Sequence, residues 1–190
     1  MNTTVHEVTT DEDRLLFLTC YAQALGVNET SLDLGIDFLR ECEVVYLFRD
    51  SQGYPIAGYT INTEQSYRTL DRIPADVAAQ LRAMAQGYVT YELGTIWVAP
   101  DSRNGRDKLE LWYHVFGSMI NRSHLVMVGS TYSDEIYAFY SRYGSTLAYK
   151  NDHQEVFGRT SRYYIFYIDD LSATKVPEMH QQLGARLLRS

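Results

Sequence analysis

Residues 88–108, YVTYELGTIWVAPDSRNGRDK, constrain the fold most. An aromatic and β-branched strand at 88–98 runs straight into a basic loop and then a helix. Inside that strand stands one carboxylate, Glu92, where an acidic group is costly unless it is paired or hydrogen-bonded. The alternation is also uneven. Tyr91 and Leu93 share one parity, Ile96 and Val98 the other, and Gly94 lies between them, which predicts a bulge near Gly94. Beyond the loop, Leu109, Trp112, Phe116 and Met119 fall at helical spacing, and HLVMVG at 124–129 reads as a buried strand. A strand, helix and strand of these lengths predict parallel neighbours joined by a right-handed crossover.

The remaining elements are short. Residues 3–9 predict a first strand. Asp11 opens a helix with Leu15, Leu18, Tyr21 and Leu25 on its apolar stripe, stopped by Gly26, and Ser31 is expected to cap a second helix carrying Leu32, Ile36 and Leu39. Residues 44–48 and 55–61, joined by a turn at 50–53, read as a hairpin. A helical insertion follows at about 64–87, bracketed by Pro74 and Gly87. DEIYAFYSRYG predicts a helix ended by Gly144, residues 145–150 and 162–168 two further strands, and residues 170–190 a helical tail with its helix at 177–188.

Composition excludes several classes. A chain of 190 residues with 45% apolar content suits one buried core, so residues 1–190 are expected to form a single domain. A net charge of -7 argues against a nucleic-acid surface, which needs clustered Lys and Arg. No run approaches the roughly 20 apolar residues that span a bilayer, and the first residues do not resemble a secretory leader, so a cytoplasmic protein is expected. Cys20 and Cys42 have no framework or zinc spacing and are expected as buried thiols, and the five scattered histidines give no reason to expect a metal.

The order β-αα-ββ-(α)-β-α-β-α-ββ-α is similar, apart from the insertion and the tail, to the GNAT superfamily of N-acyltransferases. YELGTIWVAPDSRNGR resembles that family's fourth strand and pyrophosphate loop, with an acidic residue ahead of V-x-P and an Arg opening the loop. IYAFYSRYG resembles its late helix, which ends in an aromatic pair and Tyr-Gly. The resemblance implies an α/β (mixed α+β) fold with a central twisted mixed sheet whose fourth and fifth strands splay apart, flanked by helices. A pantetheine thioester would lie in the gap, paired with backbone left open around Val98 and touching Ser130, with Glu92 near the reacting carbonyl.

The loop departs from the family pattern. Counted from Arg103, the two small positions fall on Arg106 and Lys108, and only Gly105, one place early, is small. Bare backbone amides that would cradle phosphate are therefore hindered, and Asp107 with Glu110 reads as a D-x-x-E capping box that occupies helix-terminal donors. Arg103, Arg106 and Lys108 are instead expected to hold phosphate through their side chains. This basic loop in an acidic chain, together with the insertion, resembles the branch of acyl-homoserine-lactone synthases and long-chain N-acyl amino acid synthases. That branch implies acyl carrier protein as a partner, with acyl-ACP or acyl-CoA as co-substrate and no metal.

Glu92 is read as a general base, acting directly or through water, against the alternative of an outward-facing residue. Tyr140 takes, by the resemblance, the place of a general acid to the departing thiolate; packing is the alternative in a chain with 16 tyrosines, and Tyr137 and Tyr143 are close neighbours. Trp97 and Trp112 are read either as lining an acyl channel or as core. Ser130, Thr131 and Ser133 are read either as pantetheine contacts or as caps. The expected function is transfer of an acyl group from a pantetheine thioester to a small amine or amino acid by direct attack. An ordinary acetyl-CoA-dependent N-acetyltransferase of small molecules or peptides, and a non-catalytic acyl-binding module, stay open beside it.

Overall fold

The structure, a computed structural model, describes residues 3–63, 67–102, 105–120, 125–142, 144–168 and 175–189. Strand β1 (Thr4–Glu7) leads into helix α1 (Asp11–Leu25). Thr10 caps α1 by accepting the N–H of Asp13 at 3.2 Å, three acidic residues sit at the positive end of the helix dipole, and Gly26 closes it with a left-handed φ of 68°. The buried residues of α1 are Phe17, Leu18 and Ala22, of which only Leu18 belongs to the predicted stripe, and Leu15 is 55% exposed. Tyr21 and Leu25 do face inward, toward a cleft.

The second helix departs from expectation. Ser31 belongs to a 3-10 turn at Glu29–Ser31, and helix α2 starts only at Ile36 and ends at Glu41. Two causes act together: Gly35 is a poor helix-interior residue, and the carboxylate of Asp33 is drawn into ion pairs with Arg68 and Arg72. Both cysteines are half-buried rather than fully buried.

Strands β2 (Val44–Arg49) and β3 (Pro55–Thr63) form the predicted hairpin, in which Asp50 accepts the N–H groups of Gln52 and Tyr54 at 2.9 Å. Two helices then precede the next strand, α3 (Arg68–Asp71) and α4 (Ala75–Met84), and β4 (Val89–Val98) follows. Helix α5 (Gly105–Gly117) connects β4 to β5 (Leu125–Thr131), which lies parallel to it. After α6 (Asp134–Arg142) come β6 (Thr146–Val156) and β7 (Arg159–Ile168), and then α7 (Lys175–Leu187). The last two strands are longer than predicted because NDHQE, the outer half of β6, is a mostly exposed edge without the apolar alternation that marks a strand.

The seven strands among the described residues form one sheet in the order β1-β2-β3-β4-β5-β7-β6, antiparallel except at β4 and β5. Both faces are covered. Leu111, Val115 and Phe116 of α5 and Val176, Met179 and Leu183 of α7 pack with Phe48, Tyr59 and Tyr91 on one face. Phe17 and Leu18 of α1 and Leu39 of α2 pack with Val45, Leu47 and Trp97 on the other. Two-sided burial explains why the central strands read as nearly continuous apolar runs.

Gly58 is where α1 and the sheet come closest. A Cβ there would stand 2.7 Å from both Phe17 Cε2 and Trp97 Nε1, and those two rings meet edge-on at 5.7 Å. Overpacking of this kind costs about 1–3 kcal/mol. Gly58→Ala is accordingly expected to destabilise the protein by that amount, read as a lower denaturant midpoint with an unchanged slope.

Candidate active site

The parallel pairing of β4 and β5 runs from Val89↔Leu125 to Leu93↔Gly129 and stops, although β4 continues to Val98 and β5 to Thr131. The cause lies on the other side of β4. Between Thr60↔Gly94 and Gly58↔Trp97, β3 advances by Tyr59 alone while β4 advances by Thr95 and Ile96. This is the predicted bulge, and it places Thr95 at a φ of 42°, a region β-branched residues rarely enter. Thr95 is held there by a 2.8 Å hydrogen bond from its Oγ1 to that of Thr60. Backbone strain of this sort persists only where surrounding structure enforces it.

Ala99 donates its N–H to Ile56 on β3 at 2.8 Å. By strand alternation the N–H of Val98 points to the opposite edge, which β5 no longer occupies. The divergence opens a cleft of about 330 Å³ floored by Glu92–Ile96 and walled by α1, α3, α6 and the end of β5.

Glu92 lies in this cleft, 2% exposed. Its Oε2 accepts from Asn62 Nδ2 at 2.8 Å and from the N–H of Arg68 at 3.3 Å, and its Oε1 accepts from the N–H of Thr69 at 2.6 Å. Asn62 stands directly opposite Glu92 in the β3–β4 register, while Arg68 and Thr69 supply the first amides of α3. Every one of these contacts is a donor aimed at a carboxyl oxygen, which answers the burial cost that makes Glu92 conspicuous in the sequence.

Tyr140 enters the same cleft from α6 and is 2% exposed. Phe166 lies 4.3 Å from its ring and Trp112 meets it edge-on at 5.4 Å. Its hydroxyl has no hydrogen-bond partner among the described residues, and burial raises the phenol well above its usual value. Tyr137 points elsewhere, stacked on Tyr164 at 4.6 Å, and Tyr143 lies outside the described residues. Ser130 also lines the cleft, where it accepts from Thr69 Oγ1 at 3.3 Å.

The other expected residues are not gathered there. Trp97 is 3% exposed in the core beneath α1, and its Nε1 has no acceptor among the described residues. The side chain of Val98 packs against the main core, so only its backbone faces the splay. Gly105, the first residue of α5, has open space where a Cβ would stand. The capping-box reading fails: Asp107 is inside α5, and Glu110 instead accepts from Arg106 Nε at 3.1 Å and from Thr3 Oγ1. Lys108 is exposed on the same helix. Arg103 lies outside the described residues.

Sequence reasoning missed Asn62, Thr69, Arg68, Arg72 and Phe157. A signal existed for the first: Thr60 and Asn62 are polar residues at one parity of an otherwise apolar strand, and both are buried. Phe157 had none. It joins Gly158 in a two-residue turn between β6 and β7 with φ of 50° and 71°, and this turn carries Phe157 to the cleft wall. Among the described residues no group of three or more His, Cys, Asp or Glu side chains is placed to hold a metal, and no helix is long and apolar enough to cross a membrane.

A mixed sheet with one parallel pair that splays at a bulge over a buried carboxylate is the architecture of the GNAT fold, and the chain has that fold. Solved structures align with it over nearly their whole length. FeeM, an N-acyl amino acid synthase from uncultured soil microbes, matches with a TM-score of 0.68 and 13% identity over 95% of this chain and 94% of its own. Arabidopsis thaliana Naa50, in complex with the bisubstrate analogue CoA-Ac-MVNAL, matches with a TM-score of 0.61 and 10% identity over 89% of this chain and 99% of its own. An N-acetyltransferase from Staphylococcus aureus matches with a TM-score of 0.56 and 14% identity over 89% and 98%. No family model and no curated protein matches the sequence.

The donor clamp on Glu92 makes a stability prediction. Asn62→Leu keeps the number and branching of the side-chain heavy atoms and removes one donor to a buried carboxyl, which is expected to cost about 1–3 kcal/mol. Asn62→Asp, which sets a second carboxyl against the first, is expected to cost more. Thermal unfolding of the two variants beside the wild type checks the order.

Proposed function

We propose that the chain is an N-acyltransferase, with residues 1–190 acting as one domain, that moves an acyl group from a pantetheine thioester to an amine. The observation that carries this reading is the convergence of Glu92 and Tyr140 on one cleft where β4 and β5 part. The pantetheine arm would pair with backbone around Val98 that β5 leaves open, as an added strand does. Ser130 would flank it, and the thioester carbonyl would lie above the β4 floor.

In this arrangement the amine nitrogen attacks the thioester carbon, forming the C–N bond as the C–S bond breaks. Glu92 takes the proton that nitrogen loses, directly or through one water, and Tyr140 gives its proton to the departing sulfur. Burial keeps the Tyr140 phenol protonated at neutral pH, which suits a donor. Direct transfer fits the chain's thiols as well. Burial first, and then the nearby Glu92 charge, push Cys42 up to about 12, so it does not offer a thiolate for a covalent intermediate. Holding both substrates in one cleft supplies much of the acceleration.

Glu92→Gln is expected to lower turnover by about two orders of magnitude while leaving donor affinity nearly intact. Tyr140→Phe is expected to slow thiol release more than Tyr137→Phe does, because only Tyr140 reaches the cleft. Steady-state kinetics with thiol detection check both, and wild-type turnover in Glu92→Gln from pH 6 to 9 would remove Glu92 from the mechanism.

For the donor, we infer a phosphopantetheine arm held by side chains at the start of α5, where Arg106 and Lys108 are exposed. Arg106 is engaged with Glu110, an exposed pair that costs little to open. An acidic carrier protein would be drawn to this loop at long range. Acyl-ACP is therefore expected to be used more efficiently than the matched acyl-CoA, with an advantage that shrinks as salt rises and in Arg106→Ala/Lys108→Ala. Salt-insensitive use of acetyl-CoA, undiminished in that double variant, would favour an ordinary acetyltransferase, the class named for the Staphylococcus aureus structure.

A further inference from the structure

We propose that Arg68 and Arg72 form a carboxylate-binding subsite for the acceptor, and that Asp33 occupies this subsite as an internal competitor until the acceptor displaces it. The identity of the carboxylate as part of the acceptor rests on the transferase reading above.

All three residues line the cleft that holds Glu92. Both guanidinium groups converge on the one carboxylate: Arg68 Nη2 on Asp33 Oδ1 and Arg72 Nη2 on Asp33 Oδ2. Two cations on one anion leave a net positive charge at this end of the cleft. The pair is also built for an anion. Arg72 donates from Nη1 to the Tyr132 hydroxyl at 3.1 Å, and Arg68 lies over the Phe38 ring at 5.0 Å from its centroid. These contacts orient the two planar forks. The side chains of Arg68 and Arg72 are 22% and 28% exposed, so the interaction is only partly screened by water.

Asp33 is held less firmly. Its side chain is 44% exposed, and it sits between the 3-10 turn and α2, neither of which has a side-chain cap. Arg68, by contrast, is anchored through its own backbone N–H on Glu92. A competing carboxylate would thus displace Asp33 and leave the arginines in place.

Arg68 also sets the spacing. Its backbone touches the proposed base and its guanidinium reaches the subsite, so the two are one side-chain length apart. That separation suits an acceptor whose attacking amine and carboxylate are a few bonds apart, as in an amino acid. An acceptor bearing a second cation in place of the carboxylate would meet the guanidinium pair and be repelled.

The test measures binding without turnover. N-octanoyl-leucine and its primary amide, which differ only in the carboxylate, are titrated calorimetrically into wild type, Arg72→Gln, Arg72→Lys and Asp33→Asn, each checked for folding by circular dichroism. Wild type is expected to prefer the acid by about tenfold, the worth of one charge-assisted hydrogen bond. Arg72→Gln should abolish the preference, Arg72→Lys should keep part of it, and Asp33→Asn should enlarge it by tightening the acid and not the amide. If Arg72→Gln does not fold, Asp33→Asn and Arg72→Lys still decide the matter. Equal binding of acid and amide by wild type, or a preference unmoved by these substitutions, would mean that the trio is a brace between α3 and the chain ahead of α2. Thiol release in a parallel assay with no acid preference would retire the subsite and keep the transferase. An Arg72-dependent preference without thiol release from any donor would keep the subsite and retire the transferase.

Discussion

A carboxyl group with 2% exposure inside a sheet is tolerable only when donors reach it, and for Glu92 they come from two other segments of the chain. Asn62 arrives by strand register, and the Arg68 and Thr69 amides arrive because α3 docks its first turn against β4. The helix is only four residues long, so little of its placement comes from its own hydrogen bonds. Its tie to Glu92 fixes where Arg68 and Arg72 emerge, and through Asp33 it reaches the segment ahead of α2. One buried acid thereby ties β3, α3 and the segment ahead of α2 to the floor of the cleft.

The second constraint is steric. The bulge at Thr95 and Ile96 ends the β4–β5 ladder after Leu93↔Gly129. Beyond it the sheet has an internal edge, toward which strand alternation turns the N–H of Val98. Gly129 takes part, since a Cβ there would stand 2.6 Å from the Phe166 ring. Phe166 in turn packs on Tyr140, so the residue that closes the parallel ladder also seats the phenol. Backbone divergence and side-chain placement are coupled through this contact.

The match to FeeM at 13% identity shows how little of the fold depends on residue identity. A sheet covered on both faces asks for apolar runs of the right length and a bulge at the right place, and many sequences supply these. The chemistry that a fold carries is a separate question, answered by particular side chains. The reading proposed for this chain rests on Glu92, Tyr140 and the arginine pair.

Much of the architecture was legible in the sequence because it rests on short-range pattern. Period-two and helical spacing placed most elements, and the broken parity around Gly94 announced the bulge. Glu92 was legible by its anomaly, a carboxylate among aromatic and β-branched neighbours. The outer half of β6 was hidden by its polar edge, and Ser31 misled because its local cap signal was overruled by Gly35 and by the ion pairs of Asp33. Only the tertiary structure decided who meets Glu92, since Asn62 and Thr69 lie far from it in sequence and come to it through strand register and helix docking. It also separated Tyr140 from Tyr137, which stand on one short helix, by the direction in which α6 packs on the sheet. Local periodicity determines which residues are buried; which buried residues touch depends on register and packing across the whole chain, and no short stretch of sequence records that.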